Sequence, residues 1–376
     1  MAADAAAPFG TSRQVVFPRP HEIVLDTSPV PRPGPGEMLL RIKRVGICAT
    51  DLHLLEGHIG DPFPLVPGHE FVGEIAAVGP DTDREEGFAE GDHVAVEMLV
   101  PCRSCARCRE GRYNLCERDD PASGLGRGQE YGINIPRTEA PGLWGGYADY
   151  LIVPREAIVH RVPDSIDWTV AALIEPFAVA WRAIARGGIR PGDSVAVVGP
   201  GPVGLLTAAA ASLAGAAAVA VVGTRASRLE TARRFGADVT VDARTSEDLI
   251  GEVTASLGRR PDVVVETAGS PSAQALAVRL VRRGGRVVLA GACGRDVTLA
   301  VSADEDLLTR EIDVLPSFLS AGGYEPAIAA LARAAFPYRE LVTHAFPLEA
   351  VEEAFHVVRT KADDVLKAVL DLDRRP

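Results

Sequence analysis

Between Gly46 and Gly79 the chain reads G-I-C-A-T-D-L-H, then a short loop, then P-G-H-E-F-V-G-E-I-A-A-V-G. The stretch gathers Cys48, Thr50, Asp51, His53, His69 and Glu70. One thiolate, one imidazole and one carboxylate can hold a zinc ion and leave a coordination position open. A structural site instead closes all four positions with Cys or His. Taken singly, Cys48 reads as a small buried hydrophobe and His69 as a satisfied core histidine. Taken together they point to a catalytic metal centre.

A Lewis acid there would let an alcohol lose its proton near neutral pH. The proton then needs an exit. Thr50, two residues after Cys48, has a hydroxyl suited to accept it, and His53 can relay it to solvent. A further candidate is Glu175, an ionisable group inside the apolar run L-I-E-P-F-A-V-A. Such a group needs a cation or hydrogen-bond partners once buried.

A second ligand set is C-R-S-C-A-R-C-R-E-G-R-Y-N-L-C, with Cys102, Cys105, Cys108 and Cys116 spaced C-x2-C-x2-C-x7-C. Four thiolates this close can enclose one tetrahedral structural zinc and staple a loop that lacks its own core. An iron–sulfur run is the rival reading, but bacterial ferredoxin spacing closes with C-x3-C-P, and here Cys116 precedes Glu117. The arginines at 103, 107, 109 and 112 lend some support to a nucleic-acid-binding zinc ribbon.

The third motif is G-P-G-P-V-G, in which Gly199, Gly201 and Gly204 match G-x-G-x-x-G between the strand-like V-A-V-V and an Ala-rich helix. In that context the glycines let a backbone approach a pyrophosphate at a helix N-terminus. The candidate cofactor contacts are Gly199, Gly201, Pro202, Val203 and Gly204. To these are added Gly223, Thr224, Arg225 and Arg228 around the end of the next strand, and Thr267 after V-V-V-E. NAD-binding turns place a carboxylate about 20 residues past the glycines. Here the second strand ends at Gly223 and Thr224-Arg225 follow. A hydroxyl and a guanidinium suit a 2′-phosphate, which favours NADP, with NAD possible.

These motifs must be positioned by a 376-residue chain, a length that favours two domains. Composition is that of a soluble globular protein, 47% hydrophobic and 24% charged. A net charge of −12 without a Lys/Arg-rich run argues against nucleic acid and anionic membrane as partners. The uncharged stretch 194–224 is long enough to raise a membrane span, but its internal glycines and prolines divide it into strand, turn, helix and strand. The first ten residues lack a secretory pattern, and six clustered cysteines suggest metal ligation rather than disulfides, so a cytoplasmic protein is expected. Many short strands separated by turns predict a β-rich first region, and strand–helix alternation from Asp193 predicts a doubly wound parallel sheet. A helix is expected after Ser165 or Asp167. The segment 121–146 is expected as a surface loop, in which Trp144 either lines a pocket or packs the loop down.

Together these residues resemble the zinc-containing medium-chain dehydrogenase/reductase family of alcohol, sorbitol, threonine and sugar dehydrogenases. The resemblance spans nearly the whole chain. It implies an α/β protein with a GroES-like β-rich catalytic domain (1–178, completed by 317–376) and a Rossmann domain (179–316). It implies catalytic-zinc ligands at Cys48 and His69 with an acidic ligand from Glu70 or Glu175, and a structural zinc at the four cysteines. Asp51 matches a carboxylate that orients the ligand histidine. Glu175 stands where liver-type alcohol dehydrogenases have a cysteine, and its E-P resembles sorbitol dehydrogenases. The G-T-R turn resembles G-S-R of bacterial NADP-dependent secondary alcohol dehydrogenases. The expected activity is zinc-dependent hydride transfer between an alcohol, polyol or sugar-type hydroxyl and a nicotinamide. A zinc-free quinone-type reductase is disfavoured by the cysteine lobe. An exposed strand edge near Ile312–Leu315, with the resemblance, predicts a homodimer or homotetramer.

Overall fold

The computed structural model describes residues 9–82, 87–120, 128–294 and 297–374. Residues 121–127 of the expected polar loop lie outside that range. The chain forms two compact units, 1–175 with 342–376, and 176–341.

The first unit is β-rich. It contains β1 (Gly10–Val16), β2 (Val24–Val30), β3 (Met38–Gly46), α1 (Ala49–Leu55), β4 (Glu70–Val78), β5 (His93–Val96), α2 (Ala106–Arg109), β6 (Tyr150–Val153), β7 (Val159–Arg161) and α3 (Trp168–Ala171). Helix α4 (Ile174–Gly187) begins at its boundary, and Asp167 caps α3 by accepting from Thr169 N at 2.9 Å. The antiparallel pair β3–β4 is central, and β5 and β7 extend it from β4. On the other side, β3 pairs with β6 along its first half and with a late strand along its last residues. Close approach between β3 and β4 is made possible by Gly73, where a Cβ would sit 2.0 Å from Arg41 O. Leu39, Leu40, Ile42 and Val45 of β3 are buried, and they tie this sheet into the core.

The second unit continues from α4 with β8 (Ser194–Val198), α5 (Pro202–Leu213), β9 (Ala218–Gly223), α6 (Ala226–Arg234), β10 (Val239–Asp242), α7 (Leu249–Leu257), β11 (Val263–Glu266), α8 (Pro271–Leu280), β12 (Arg286–Leu289), β13 (Asp313–Pro316) and α9 (Tyr324–Arg333). Its parallel sheet has the order β10-β9-β8-β11-β12-β13. Runs such as V-A-V-V and V-V-V are buried along their whole length, as strands covered on both faces must be. The uncharged stretch 194–224 therefore folds as β8–α5–β9, and no helix among the described residues is long and apolar enough to cross a membrane.

The segment 317–341, expected with the β-rich domain, packs with this second unit. Arg182 donates to Ala321 O at 2.9 Å, Phe177 meets Tyr338, and Phe235 stacks on Phe336. These contacts, with α4 and with the end of α6, hold the segment to the parallel-sheet unit. The first unit then resumes with β14 (Val342–Pro347), α10 (Val351–Thr360) and β15 (Lys367–Asp371). Strand β15 lies between β14 and the end of β3.

Candidate active site

Helix α1 starts on Cys48. The Cys48 N–H donates to Asp51 Oδ2 at 2.9 Å, so the carboxylate three residues on closes the first turn and fixes the cysteine at the helix mouth. Asp51 is fully buried. Its Oδ2 also accepts from the Tyr147 hydroxyl at 2.8 Å, and its Oδ1 lies 3.4 Å from His69 Nδ1. That last contact is an ion-pair approach rather than a well-formed hydrogen bond. Burial works against a charged His69, but the facing Asp51 carboxylate outweighs it and holds the imidazole well above its ordinary pKa. With Nδ1 turned to Asp51, Nε2 is the nitrogen left for a ligand.

Strand β4 begins at Glu70, which sets His69 and Glu70 at the strand mouth. One ligand atom each from Cys48, His69 and Glu70 lies within 4.8 Å of the others. A thiolate, an imidazole and a carboxylate so placed fit a zinc ion with an open position. Glu70 faces a second cation. Lys367, on β15, forms an ion pair with Glu70 Oε2 and donates to Ile47 O at 3.0 Å, both side chains being almost wholly buried. Burial disfavours the ammonium, yet the charges of Glu70 and Cys48 raise its pKa. Gly46 leaves room for the pair, since a Cβ there would strike Glu70 Oε2 and the Lys367 side chain.

Glu175 is buried in the first turn of α4 and adds its negative field at Lys367. It is not one of the three groups whose ligand atoms converge. Thr50 Oγ1 lies 3.5 Å from Cys48 Sγ, and His53 follows three residues later on the same helix face. His53 is exposed and associates with His58 and Glu56.

Three buried participants escaped the sequence reading. Tyr147 and Lys367 reach the site from far along the chain. Glu130 is buried and near enough to feel the His69 charge; burial, reinforced by Asp119, pushes its pKa up to about 8. No local pattern marks any of them. Trp144 does both things expected of it: it packs its loop, donating to Glu139 O at 2.9 Å and stacking on Tyr131, and it lines a cavity beside Cys102 and Glu139.

The thiols of Cys102, Cys105, Cys108 and Cys116 also converge within 4.8 Å, and none forms a disulfide. Cys102 Sγ and Cys108 Sγ are 3.9 Å apart, against about 3.8 Å for the edge of a tetrahedron with 2.3 Å zinc–sulfur bonds. Backbone N–H groups of Cys102, Cys105, Cys108 and Arg118 point at the sulfurs from 3.3–3.4 Å. Burial opposes a thiolate at Cys102, but donors from Ser104 and its neighbours bring its pKa down to about 6. The donor set fits a structural zinc. Arg103, Arg107 and Arg109 bond to Glu156 O, Glu110 and Ser104 O, within the protein.

In the second unit, Gly199 adopts φ +106° and Gly201 N-caps α5 without a side-chain cap, with Pro202 and Val203 opening the helix. No atom lies within 4 Å of where a Cβ on Gly201 would sit, which leaves the helix mouth open to a phosphate. Gly204 serves packing, because its Cβ would lie 1.8 Å from Gly199 O. The Thr267 hydroxyl donates to Gly199 O at 2.9 Å and so braces this turn. Strand β9 ends at Gly223, packed on Pro200. Thr224 is exposed and Arg225 half-buried at the N-cap of α6, whose first turn contains Arg228.

Residues 34–164 match the family model of the alcohol dehydrogenase GroES-like domain, and residues 202–333 that of zinc-binding dehydrogenases. The chain is 35% identical to the sorbitol dehydrogenase of Bacillus subtilis, over 95% of this chain and 96% of that one. Among solved structures it resembles a Sinorhizobium meliloti chain assigned as a zinc-binding dehydrogenase, bound to NADP. The TM-score is 0.83 and the identity 28%, covering 96% of this chain and 99% of that one. It also resembles an Escherichia coli alcohol dehydrogenase complexed with NADH, with TM-score 0.82 and 27% identity, covering 96% of this chain and 100% of the other.

Proposed function

Because this chain belongs to the zinc-containing medium-chain dehydrogenase/reductase family, we propose that it moves a hydride between an alcohol or polyol and a nicotinamide, with NADP preferred. The observation that carries this reading is the convergence of Cys48, His69 and Glu70, with Asp51 behind the imidazole. Glu70 is the acidic ligand in this proposal and Glu175 tunes the field. A second zinc belongs to Cys102, Cys105, Cys108 and Cys116. A zinc ion held by Cys48, His69 and Glu70 would supply Lewis-acid polarisation of an alcohol oxygen, and a nicotinamide held at the glycine turn would supply the hydride chemistry.

The chain's own residues do the rest. Asp51 holds His69 in one tautomer. Lys367 balances the charge of Glu70. Thr50 Oγ1 takes the substrate proton, and His53 delivers it to solvent. Gly199, Gly201 and Gly204 shape a pyrophosphate cradle. Thr224 and Arg225, with Arg228 on the following turn, present donors where an NAD-specific turn presents a carboxylate. The same reading takes residues 1–175 and 342–376 as the catalytic domain and 176–341 as the nucleotide domain. It makes the enzyme cytoplasmic and a homodimer or homotetramer, paired through the outer edge of β13.

The test is a spectrophotometric panel of alcohols, polyols and ketones, each with NAD and NADP, run on wild type and Thr50→Ala. Thr50→Ala is expected to lower kcat by about 10²–10⁴ with little change in cofactor affinity. No turnover on any substrate, or an unchanged kcat with chemistry rate-limiting, rejects the corresponding part of the reading.

A further inference from the structure

Helix α1 ends in a tight reversal. The Gly57 N–H donates to Leu54 O and the His58 N–H to His53 O, both at 2.9 Å, with Gly57 at φ +72°. This is the paired C-terminal bonding of a Schellman motif. Its usual companion is a hydrophobic contact between the residue past the glycine and the one in the last turn. Here those two positions are histidines. Their Nδ1 atoms lie 3.5 Å apart, and Glu56 Oε2 lies 3.5 Å from His58 Nδ1 and 3.9 Å from His53 Nδ1.

We propose that His53, Glu56 and His58 form a third, surface zinc site, which blocks proton release when occupied. Bonds of about 2.0–2.1 Å from a tetrahedral zinc to nitrogen and oxygen put its ligand atoms about 3.3–3.4 Å apart. The three separations come within about half an ångström of that, and all three are measured between the same three atoms. The αL glycine and its two hydrogen bonds preset the backbone, so little ordering is needed on binding. Arg359 Nη2 approaches Glu56 at 3.5 Å through the other oxygen, Oε1, and leaves Oε2 to the imidazoles. His53 and His58 are exposed, so the ligands exchange freely with solvent zinc. Zinc on His53 Nδ1 occupies the lone pair that the relay requires. This consequence rests on the role given to His53 above; the binding site itself does not.

The experiment uses the purified enzyme with its two family zinc ions in place, equilibrated against increasing zinc sulfate by dialysis. Wild type is expected to take up one further zinc ion. His58→Ala and Glu56→Gln should each weaken that uptake at least about tenfold, since loss of a residue merely supporting a ligand costs 10–100-fold. Basal turnover should be unchanged in both variants. Added zinc should inhibit wild type, reversibly on chelation, and spare His58→Ala. Equal uptake by wild type and both variants overturns the site. Uptake that is lost in the variants, without inhibition of wild type, overturns the blocking role and with it the assignment of His53 as relay.

Discussion

Lys367→Met is the sharpest perturbation that the metal-site geometry suggests. Lys367 and Glu70 are 4% and 2% exposed at the side chain, so water screens neither charge. At an ordinary ammonium–carboxylate distance of about 2.8 Å and an effective dielectric of about 20, their attraction is about 6 kcal/mol. Desolvation of the lysine offsets part of this, and removing one partner of a buried pair typically costs about 3–5 kcal/mol. For a unit of this size, even 3 kcal/mol lowers Tm by about 6–12 °C. The assay is thermal unfolding of wild type and variant after exhaustive chelation, which strips the cysteine lobe equally from both. With zinc restored the gap should narrow, because Glu70 then shares its charge with a dication. The double variant Lys367→Met/Glu70→Gln should recover to within about 1 kcal/mol of wild type, no charge being left stranded. A metal-free Lys367→Met within about 0.5 kcal/mol of wild type, or no rescue by Glu70→Gln, would refute the electrostatic argument.

Metal analysis of the purified protein should find two zinc ions per chain. Cys105→Ser should lose one of them and unfold earlier, while Cys48→Ser should stay folded and lose turnover. If Arg225 recognises a 2′-phosphate, Arg225→Ala should lower kcat/KM for NADP by at least about tenfold, the loss of a charge-assisted hydrogen bond, and leave NAD nearly untouched. A wild-type preference for NAD would contradict that reading. Light scattering should give a dimer or tetramer; a mass near 39.7 kDa would exclude pairing through β13.

What could be read from the chain alone follows from how far apart partners lie. Cys48, Asp51, His69 and Glu70 sit in one short stretch, and the four cysteines in another, so ligand chemistry and spacing reveal them directly. The Rossmann turn is legible for the same reason, since strand, glycines and helix are consecutive. Lys367 was invisible because its partner Glu70 is nearly 300 residues away and a lone lysine in a terminal strand carries no signal. Tyr147 carries no local signal, because the buried Asp51 carboxylate to which its hydroxyl donates lies far away in the sequence. Glu130 lay in a polar loop that gave no reason to expect burial. The hydroxyl of Thr267, a candidate cofactor contact, bonds to the backbone of the glycine turn, a contact that no local pattern announces. The resemblance places segment 317–341 with the β-rich domain, and the contacts of Ala321, Phe336 and Tyr338 show that it packs with the parallel-sheet unit. His58 carried no message until the helix reversal brought it against His53.

The place of β15 has a consequence for how the protein is made. Residues 176–341 are contiguous and can collapse as soon as they clear the ribosome. Strand β3 and Glu70 emerge much earlier, yet they must wait for Lys367 and Val369, nearly 300 residues later. At about 5–20 residues per second that interval is about 15–60 s. Through it the nascent chain holds an unpaired strand edge and an uncompensated carboxylate beside two would-be metal ligands. The charge partner of Glu70 therefore joins the Cys48, His69 and Glu70 cluster only after residues 176–341 have been made, whereas the four cysteines, encoded in one short stretch, can meet long before.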